Sequence, residues 1–492
     1  MIKIPQRNIY KLNTFKLFTD KENRLYNDYA SSVFEQKAEK KKLLDEEIAK
    51  FEGIREVNPK SLTIKNQVSL FDSDLLRLFQ NENIKERALI EDVIIITVEH
   101  DEIFNQIMDN GIICGGKKFS FYTASSGQVR EKNLTFLSDE VLNKYEYKLM
   151  GGLGIEKINN NGGVNTGKFL SYKALTMSSS IQVEVPYDKI IVVEDFITNI
   201  NGKVEYIDVD NPELPITIEE KSIEVNHCDG CGIILPNKIE GIKGNFQIRD
   251  KWIKGALAEF EFDKFALDVA NNTKVVDIYN DIHDIIEEDI WIILTRSQFK
   301  MADHYKNWSE FKSKMKEINS KLCICNVENP PQEEKEMSYQ YLQTLYIEPD
   351  DEETIKRLCQ PTIDKIKRLH ENQEEMLSAL GATEDNKKIK PLQEALLIYP
   401  QLLQDKHVQK EIKKVVKSYR DNALGGRILG RGYYSYIFPD LYAFCQKLFI
   451  KDIEVPEGLI PEGYVYNSFH KDDNIERVDL LRSLRISATS GH

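Results

Sequence analysis

Apolar residues in the opening fifty positions form a broken helical stripe. Leu25, Tyr29, Val33, Leu44, Ile48 and Phe51 recur at spacings that give one face to an otherwise charged helix. "TDKE", Thr19 to Glu22, has the spacing of a capping box and marks where that helix opens. From about Leu89 to Thr295 the pattern changes to short β-branched runs, "LIEDVIIITVEH", "KKFSFYTA", "DKIIVVEDF", "KSIEVNH" and "DIWIILT". Between them lie the turn signals "DNG", "NNNGG" and "NING". Strands this numerous, without regular helical crossovers, predict a barrel-like domain rather than a βαβ fold.

From about Ser297 to Asp421 the helical period returns. Acids open the segment at 350–353, Gly381 stands where a helix should stop, and Pro391 opens a further segment to Tyr419. Pro361 is expected to kink or interrupt the first of these helices. After "NALGGRILGRG" the chain turns aromatic and loop-like. The expected divisions are a helical region over 1–88, a barrel domain over 89–296, a helical connector over 297–425 and the start of a further region over 426–492, in an α+β class overall.

Composition narrows the function classes. The 492 residues are 41% hydrophobic, 30% charged and 10% aromatic, an ordinary globular balance. The longest apolar run, "VIIITV" at 93–98, is far shorter than the roughly 20 residues of a membrane helix. The first ten residues carry no apolar signal core, so the expected location is cytoplasmic. Seven cysteines, thinly spread, read as reduced thiols. The formal net charge of -14 argues against nucleic-acid binding by bulk attraction. One island departs from it: Lys238, Lys243, Arg249, Lys251 and Lys254 face only Glu240 and Asp250 between positions 238 and 255.

Candidate chemistry is sparse. Cys228 and Cys231 in "HCDGCG" have CxxC spacing, and His227 or the Cys323/Cys325 pair could complete a zinc site, but "DGCG" is equally a turn. No Walker, Rossmann, GxSxG or HExxH signature occurs. "YTASSGQVREKN" (Tyr122 to Asn133) reads by itself as a solvated hairpin, and "GKFLSYKALTMSSS" (Gly167 to Ser180) as a structural segment.

Taken in order, "TASSGQVREKN", "GKFLSYKALTMSSS", "CDGCGIILP" and "FQIRDKWIKGALAEFEFD" resemble the core of the RNA-silencing-type RNA-dependent RNA polymerases. They resemble more closely still the single-chain RNA polymerases of phages and prophages of Gram-positive bacteria. "IILTRSQFKM", "GYYSYIFPDLYAFCQKLF" and "ERVDLLRS" extend the likeness over roughly residues 90 to 483. The resemblance implies two double-psi β-barrels facing across a cleft, the first supplying lysines and the second an Asp-x-Asp-Gly-Asp loop for Mg²⁺. It implies nucleoside triphosphates as substrates, an RNA or DNA template, and the cytoplasm of a bacterium or phage-infected host. Lys254 matches the family's barrel lysine, and Lys238, in "LPNK", is the candidate for a second. Arg249, Lys251, Arg130 and Lys168 are candidates for phosphate or strand contacts. Thr166-Gly167 before Lys168 departs from the family pattern and leaves that register open.

No Asp-x-Asp-Gly-Asp occurs in the 492 residues; the nearest echo is "DVDNP", Asp208 to Pro212. The end, "LLRSLRISATSGH", resembles nothing in the family. The expectation is a truncated or frameshifted polymerase holding the first barrel and no metal ligands, inactive alone. The alternatives are a noncatalytic nucleic-acid-binding protein, or half of a split enzyme whose second chain carries the metal-binding barrel.

Overall fold

The computed structural model describes residues 4–31, 34–48, 53–79, 87–99, 101–207, 216–328, 335–336, 351–384, 386, 389–430, 435–467 and 478. "DVDNP", the "ERVDLLRS" segment apart from residue 478, and the chain end lie outside them. Among the described residues two compact units are present, one built from 4–327 with 438–459, the other from 328–437 with 460–467.

The larger unit contains two seven-stranded sheets. The first uses β1 (Gln6–Asn13), β2 (Arg55–Glu56), β3 (Gln67–Phe71), β4 (Leu89–Thr97), β5 (Ile112–Cys114), β6 (Lys117–Thr123) and β7 (Asn133–Ser138). Their order is β2-β5-β6-β7-β4-β1-β3, with β1 parallel to β4 and antiparallel to β3. The run "VIIITV" follows from this arrangement. Ile94 and Ile96 enter one core with Tyr10, Leu12 and Phe136, while Val93 and Ile95 enter another with Ile9, Tyr122 and Leu137. A strand covered on both faces has no polar alternation to show. Helix Asp101–Asn110 covers one side through Ile103 and Ile107, and helix Asp139–Leu149 the other through Val141 and Leu149.

The expected N-terminal helix is present as two, Asp20–Ser31 and Phe34–Ile48. Its capping box forms: Glu22 accepts from the Thr19 backbone N–H at 2.6 Å, and Thr19 Oγ1 accepts from the Glu22 N–H at 3.3 Å. The boundary expected at 88/89 is corrected, because β1 and β3 are hydrogen-bonded members of the sheet that contains β4.

The second sheet uses β8 (Ile181–Val183), β9 (Ile190–Val193), β12 (Cys231–Ile234), β13 (Phe246–Arg249), β14 (Lys254–Glu259), β17 (Ile292–Thr295) and β18 (Leu322–Val327). Its order, β8-β18-β13-β14-β12-β17-β9, is antiparallel except for the parallel pairs β12–β14 and β9–β17. It too is two-sided. Ile190, Val192, Leu257 and Ile292 meet Trp308, Phe311 and Met315 of helix Trp308–Glu317, whereas Ile191, Val193, Ile233 and Ile293 meet Phe444 and Phe449 of helix Leu441–Phe449. Residues 297–327 and 438–459 therefore belong to this unit, not to a connector or a later region.

Strands β10 (Ile197–Ile207) and β11 (Ile216–Asn226) pair in unbroken register as a two-stranded ribbon. "NING" is thus strand, with Gly202 opposite Lys221, and not a turn. A short ladder of β15 (Lys274–Val276) and β16 (Ile282–Asp284) completes the unit.

The smaller unit is helical. Helix Glu352–Glu371 runs through Pro361 without ending there. Gly381 does close helix Gln373–Ala379, where Ala382 N–H reaches Leu377 O and Gly381 N–H reaches Ser378 O. Pro391 opens helix Pro391–Ile398, but Pro400 and the Asp405 cap divide the expected long segment, so Lys406–Leu424 is a separate helix. Ala382, Leu396, Leu403, Val408 and Ile412 form its core.

Candidate phosphate-binding site

Strands β13 and β14 are joined by a tight hairpin that answers why so many cations gather here. Asp250 N–H donates to Ile253 O at 3.0 Å and Ile253 N–H returns to Asp250 O at 3.3 Å, so Lys251 and Trp252 form the loop. Trp252 adopts φ +66°, a conformation costly for a bulky side chain. The loop is held by burial: the Trp252 indole N–H donates to Met150 O at 3.2 Å, and its ring stacks on Phe169.

Arg249 and Lys254 face each other across the hairpin as a register pair. Arg249 donates to Ile248 O at 2.7 Å and to Gly255 O at 3.3 Å, which fixes the guanidinium beside the strand start. Lys254 is exposed and has neither a hydrogen bond nor an ion pair from its side chain among the described residues. Partial burial, and then the Arg249 cation, hold its pKa below the usual lysine value.

A third cation joins them from the segment after β17. Lys300 donates to Ser297 O, and its pKa is lowered by burial first and further by Lys254 and Arg249, against the opposing pull of Asp229 and Asp195. The sequence reading did not single out Lys300, although it lies in "IILTRSQFKM", one of the stretches that carry the resemblance.

The scaffold behind the cations is a polar cross-brace. Gln298 is fully buried; its Nε2 donates to Ala256 O at 3.0 Å and Gly230 O at 3.2 Å, and its Oε1 accepts from Thr295 N–H at 3.1 Å. Ser297 Oγ accepts from Gly230 N–H at 2.8 Å and donates to Asp195 at 2.7 Å. A Cβ on Gly255 would lie 2.0 Å from Gln298 Nε2, and one on Gly232 would lie 2.5 Å from Gln298 Oε1. The glycines of "KG" and "DGCG" are thus the space in which this glutamine ties the 228–231 turn to β14 and β17.

The other expected site residues are placed elsewhere. Lys251 is corrected: its ammonium is wholly buried, 2.5 Å from Asp74 Oδ2 and 3.0 Å from Ser320 Oγ, so it neutralises a core carboxylate and presents nothing to a ligand. Burial would lower its pKa, but Asp74 and then Asp250 outweigh that and raise it. Lys238, the candidate second lysine, stands apart from Lys254. Strands β12 and β14 are parallel with Cys231 opposite Ala256 and Ile234 opposite Glu259, so the far end of the pair is about 16 Å of strand from Lys254 at ~3.3 Å per residue, and Lys238 follows four residues beyond it. There it sits 3.7 Å from Asp289 and over the Trp291 ring. Arg130 ends helix Ser126–Arg130 and Lys168 lies in helix Thr166–Lys173, both exposed. Asn165 caps the latter helix, its side chain accepting from Lys168 N–H at 3.1 Å. In that same helix Lys173 turns inward over Tyr122 and Phe169.

The CxxC pair is a turn. Cys231 N–H donates to Cys228 O at 2.9 Å, and burial pushes the two thiols up to about 11 and about 12, far from thiolate. His227 is engaged with Thr198 Oγ1 at 2.7 Å and stacks on Phe196, while Cys323 lies against Arg77. Among the described residues no group of three or more His, Cys, Asp or Glu side chains could hold a metal ion. The cationic face does not fit Mg²⁺, whose ligands are oxygens. Nor is any helix among them long and apolar enough to cross a membrane.

The sequence profile described as RNA dependent RNA polymerase matches residues 66–483. The DNA-directed RNA polymerase YonO of Bacillus phage SPbeta is 38% identical over 499 residues, covering 97% of this chain and 58% of the relative. The chain therefore spans somewhat over half the length of that relative. The solved RNA dependent RNA polymerase QDE-1 from Thielavia terrestris aligns with 66% of this chain and 31% of its own at 13% identity, with a TM-score of 0.31.

Proposed function

This chain belongs to the RNA dependent RNA polymerase family, and from that premise we propose that it supplies the cationic side of an RNA-synthesising nucleotidyltransferase site. The observation that carries the proposal is the convergence of Lys254, Arg249 and Lys300 on one end of the second sheet, in a protein of formal net charge -14. Lys254 meets the nucleotide phosphates as a mobile point charge; Arg249, braced by two carbonyls, presents directed donors. Lys300 takes the role expected of Lys238. The second sheet, with its parallel pairs crossing antiparallel neighbours, is read as the first double-psi barrel of the family.

The carboxylates for Mg²⁺ come, in this reading, from an Asp-x-Asp-Gly-Asp loop outside these 492 residues, on the same polypeptide or another. The template is read as DNA, in keeping with the phage relative's description.

A titration of the 492-residue chain with a fluorescent nucleoside triphosphate tests the site. Lys254→Ala is expected to weaken binding about 10-fold or more, the scale of a charge-assisted contact. Lys238→Ala should leave it unchanged. Equal affinity in the wild-type and Lys254→Ala chains, with both folded, overturns the assignment. Nucleotide incorporation by the 492 residues alone, on a DNA or an RNA template, overturns the placement of the carboxylates.

A further inference from the structure

Strand β3 pairs with β1 only from Phe71 opposite Gln6 to Gln67 opposite Tyr10. Past that point β1 continues to Asn13 with β4 on one side, and its other edge borders an open groove of about 310 Å³ flanked by the Ile64–Asn66 turn. Lys11 and Lys16, from β1 and the turn that follows it, and Lys65, from the Ile64–Asn66 turn, line the groove together with the polar side chains of Gln67 and Thr97, and Glu99 is its acid. None of the three ammonium groups has a hydrogen bond or an ion pair among the described residues. The groove lies on the first sheet, whereas Lys254 lies on the second.

We propose that this groove binds the phosphodiester backbone of a single nucleic-acid strand. Three lysines against one acid make a local attraction for phosphate on a protein whose total charge is strongly negative. Compact phosphate sites are typically built from backbone N–H groups at a helix N-terminus or from arginine forks. Lysines spaced along an open channel, interleaved with amide and hydroxyl groups, suit successive phosphates and position a strand without reading its sequence. The proposal depends on the polymerase reading only for supplying a strand to bind; the groove is separate from Lys254.

The test is fluorescence anisotropy of short single-stranded RNA and DNA oligonucleotides on the 492-residue chain, over a salt series. The triple variant Lys11→Gln, Lys16→Gln, Lys65→Gln removes charge at partly exposed positions, and circular dichroism verifies its fold. It is expected to lose affinity about 10-fold at low salt, and the slope of log affinity against log salt should flatten by about 2, at ~0.7 per single-strand phosphate contact. Its binding of a nucleoside triphosphate should match wild type. Unchanged oligonucleotide affinity and slope in the triple variant overturn the proposal, whatever Lys254→Ala does to triphosphate binding. If inorganic phosphate binds wild type but not the triple variant, while both hold the oligonucleotide equally, the groove is a free-anion site and the strand assignment fails.

Discussion

Lys173 is largely withdrawn from water beneath Tyr122 and Phe169, and burial lowers its pKa to about 8 despite the nearby Glu146. In the unfolded chain the same group titrates near 10.4. Because the folded value is the lower, the charged form costs stability below about pH 8, and the cost fades as pH rises from 8 toward 10.5. Lys173→Met is therefore expected to raise the midpoint of thermal unfolding at pH 7, by roughly 1 to 3 kcal/mol of stability, with the gain vanishing near pH 10. Equal gains at both pH values would show that packing, not charge, is responsible. At Lys254 and Lys300 the lowered pKa values act on binding. Triphosphate affinity should begin to fall at a lower pH than ordinary lysines would allow, which a titration series from pH 7 to 10 checks.

Single residues were unevenly legible. Lys254 and Arg249 stood out because they lie in a cationic island of an acidic chain and within "FQIRDKWIKG", a stretch that carries the family resemblance. Lys300 did not, since one lysine after "TRSQF" looks like any surface cation until β17 brings it beside β14. Lys251 was misread for the opposite reason: local sequence shows its charge but not Asp74, its partner 177 positions away.

At the scale of elements, the hairpin and its brace stand or fall together. Gly255→Ala should cost about 1 to 3 kcal/mol by driving a methyl into Gln298. Gln298→Ala should cost a similar amount by leaving Thr295 N–H, Gly230 O and Ala256 O unpaired. The double variant is expected to be less destabilised than the sum, because the clash and its partner disappear together. Strict additivity in urea unfolding would show that the two do not act on one another. The β-branched runs made β4, β9 and β17 legible in advance. "QRNIYKLN", the first strand, was missed because its polar residues alternate too irregularly to separate it from the helical stripe that follows. "NING" was misplaced because Asn and Gly carry turn propensity, which a long antiparallel ribbon overrode.

For the whole molecule, Lys251 and Asp74 form a buried tie between the second sheet and the segment that follows β3 in the first. Lys251→Ala should lower stability by about 3 to 5 kcal/mol, since it leaves Asp74 and Asp250 without their cation. Lys251→Met with Asp74→Asn should recover part of that loss, and chemical denaturation of the three chains measures it. A Lys251→Ala chain as stable as wild type would remove the tie from the account. The domain boundaries inferred from texture failed at this scale. Changes of period mark where elements change type, whereas compact units are set by which strands pair, and β8 with β18 or β9 with β17 join positions more than a hundred residues apart.

That pairing has a consequence during synthesis. The second sheet cannot close until its late edge-strand partners have left the ribosome. Ile190 to Val193 must wait for Ile292 to Thr295, a delay of roughly 5 to 20 seconds at common elongation rates. Through that interval a fully apolar strand emerges with no mate, so the nascent chain is expected to engage cellular holding factors, and slowing translation should increase its aggregation rather than relieve it.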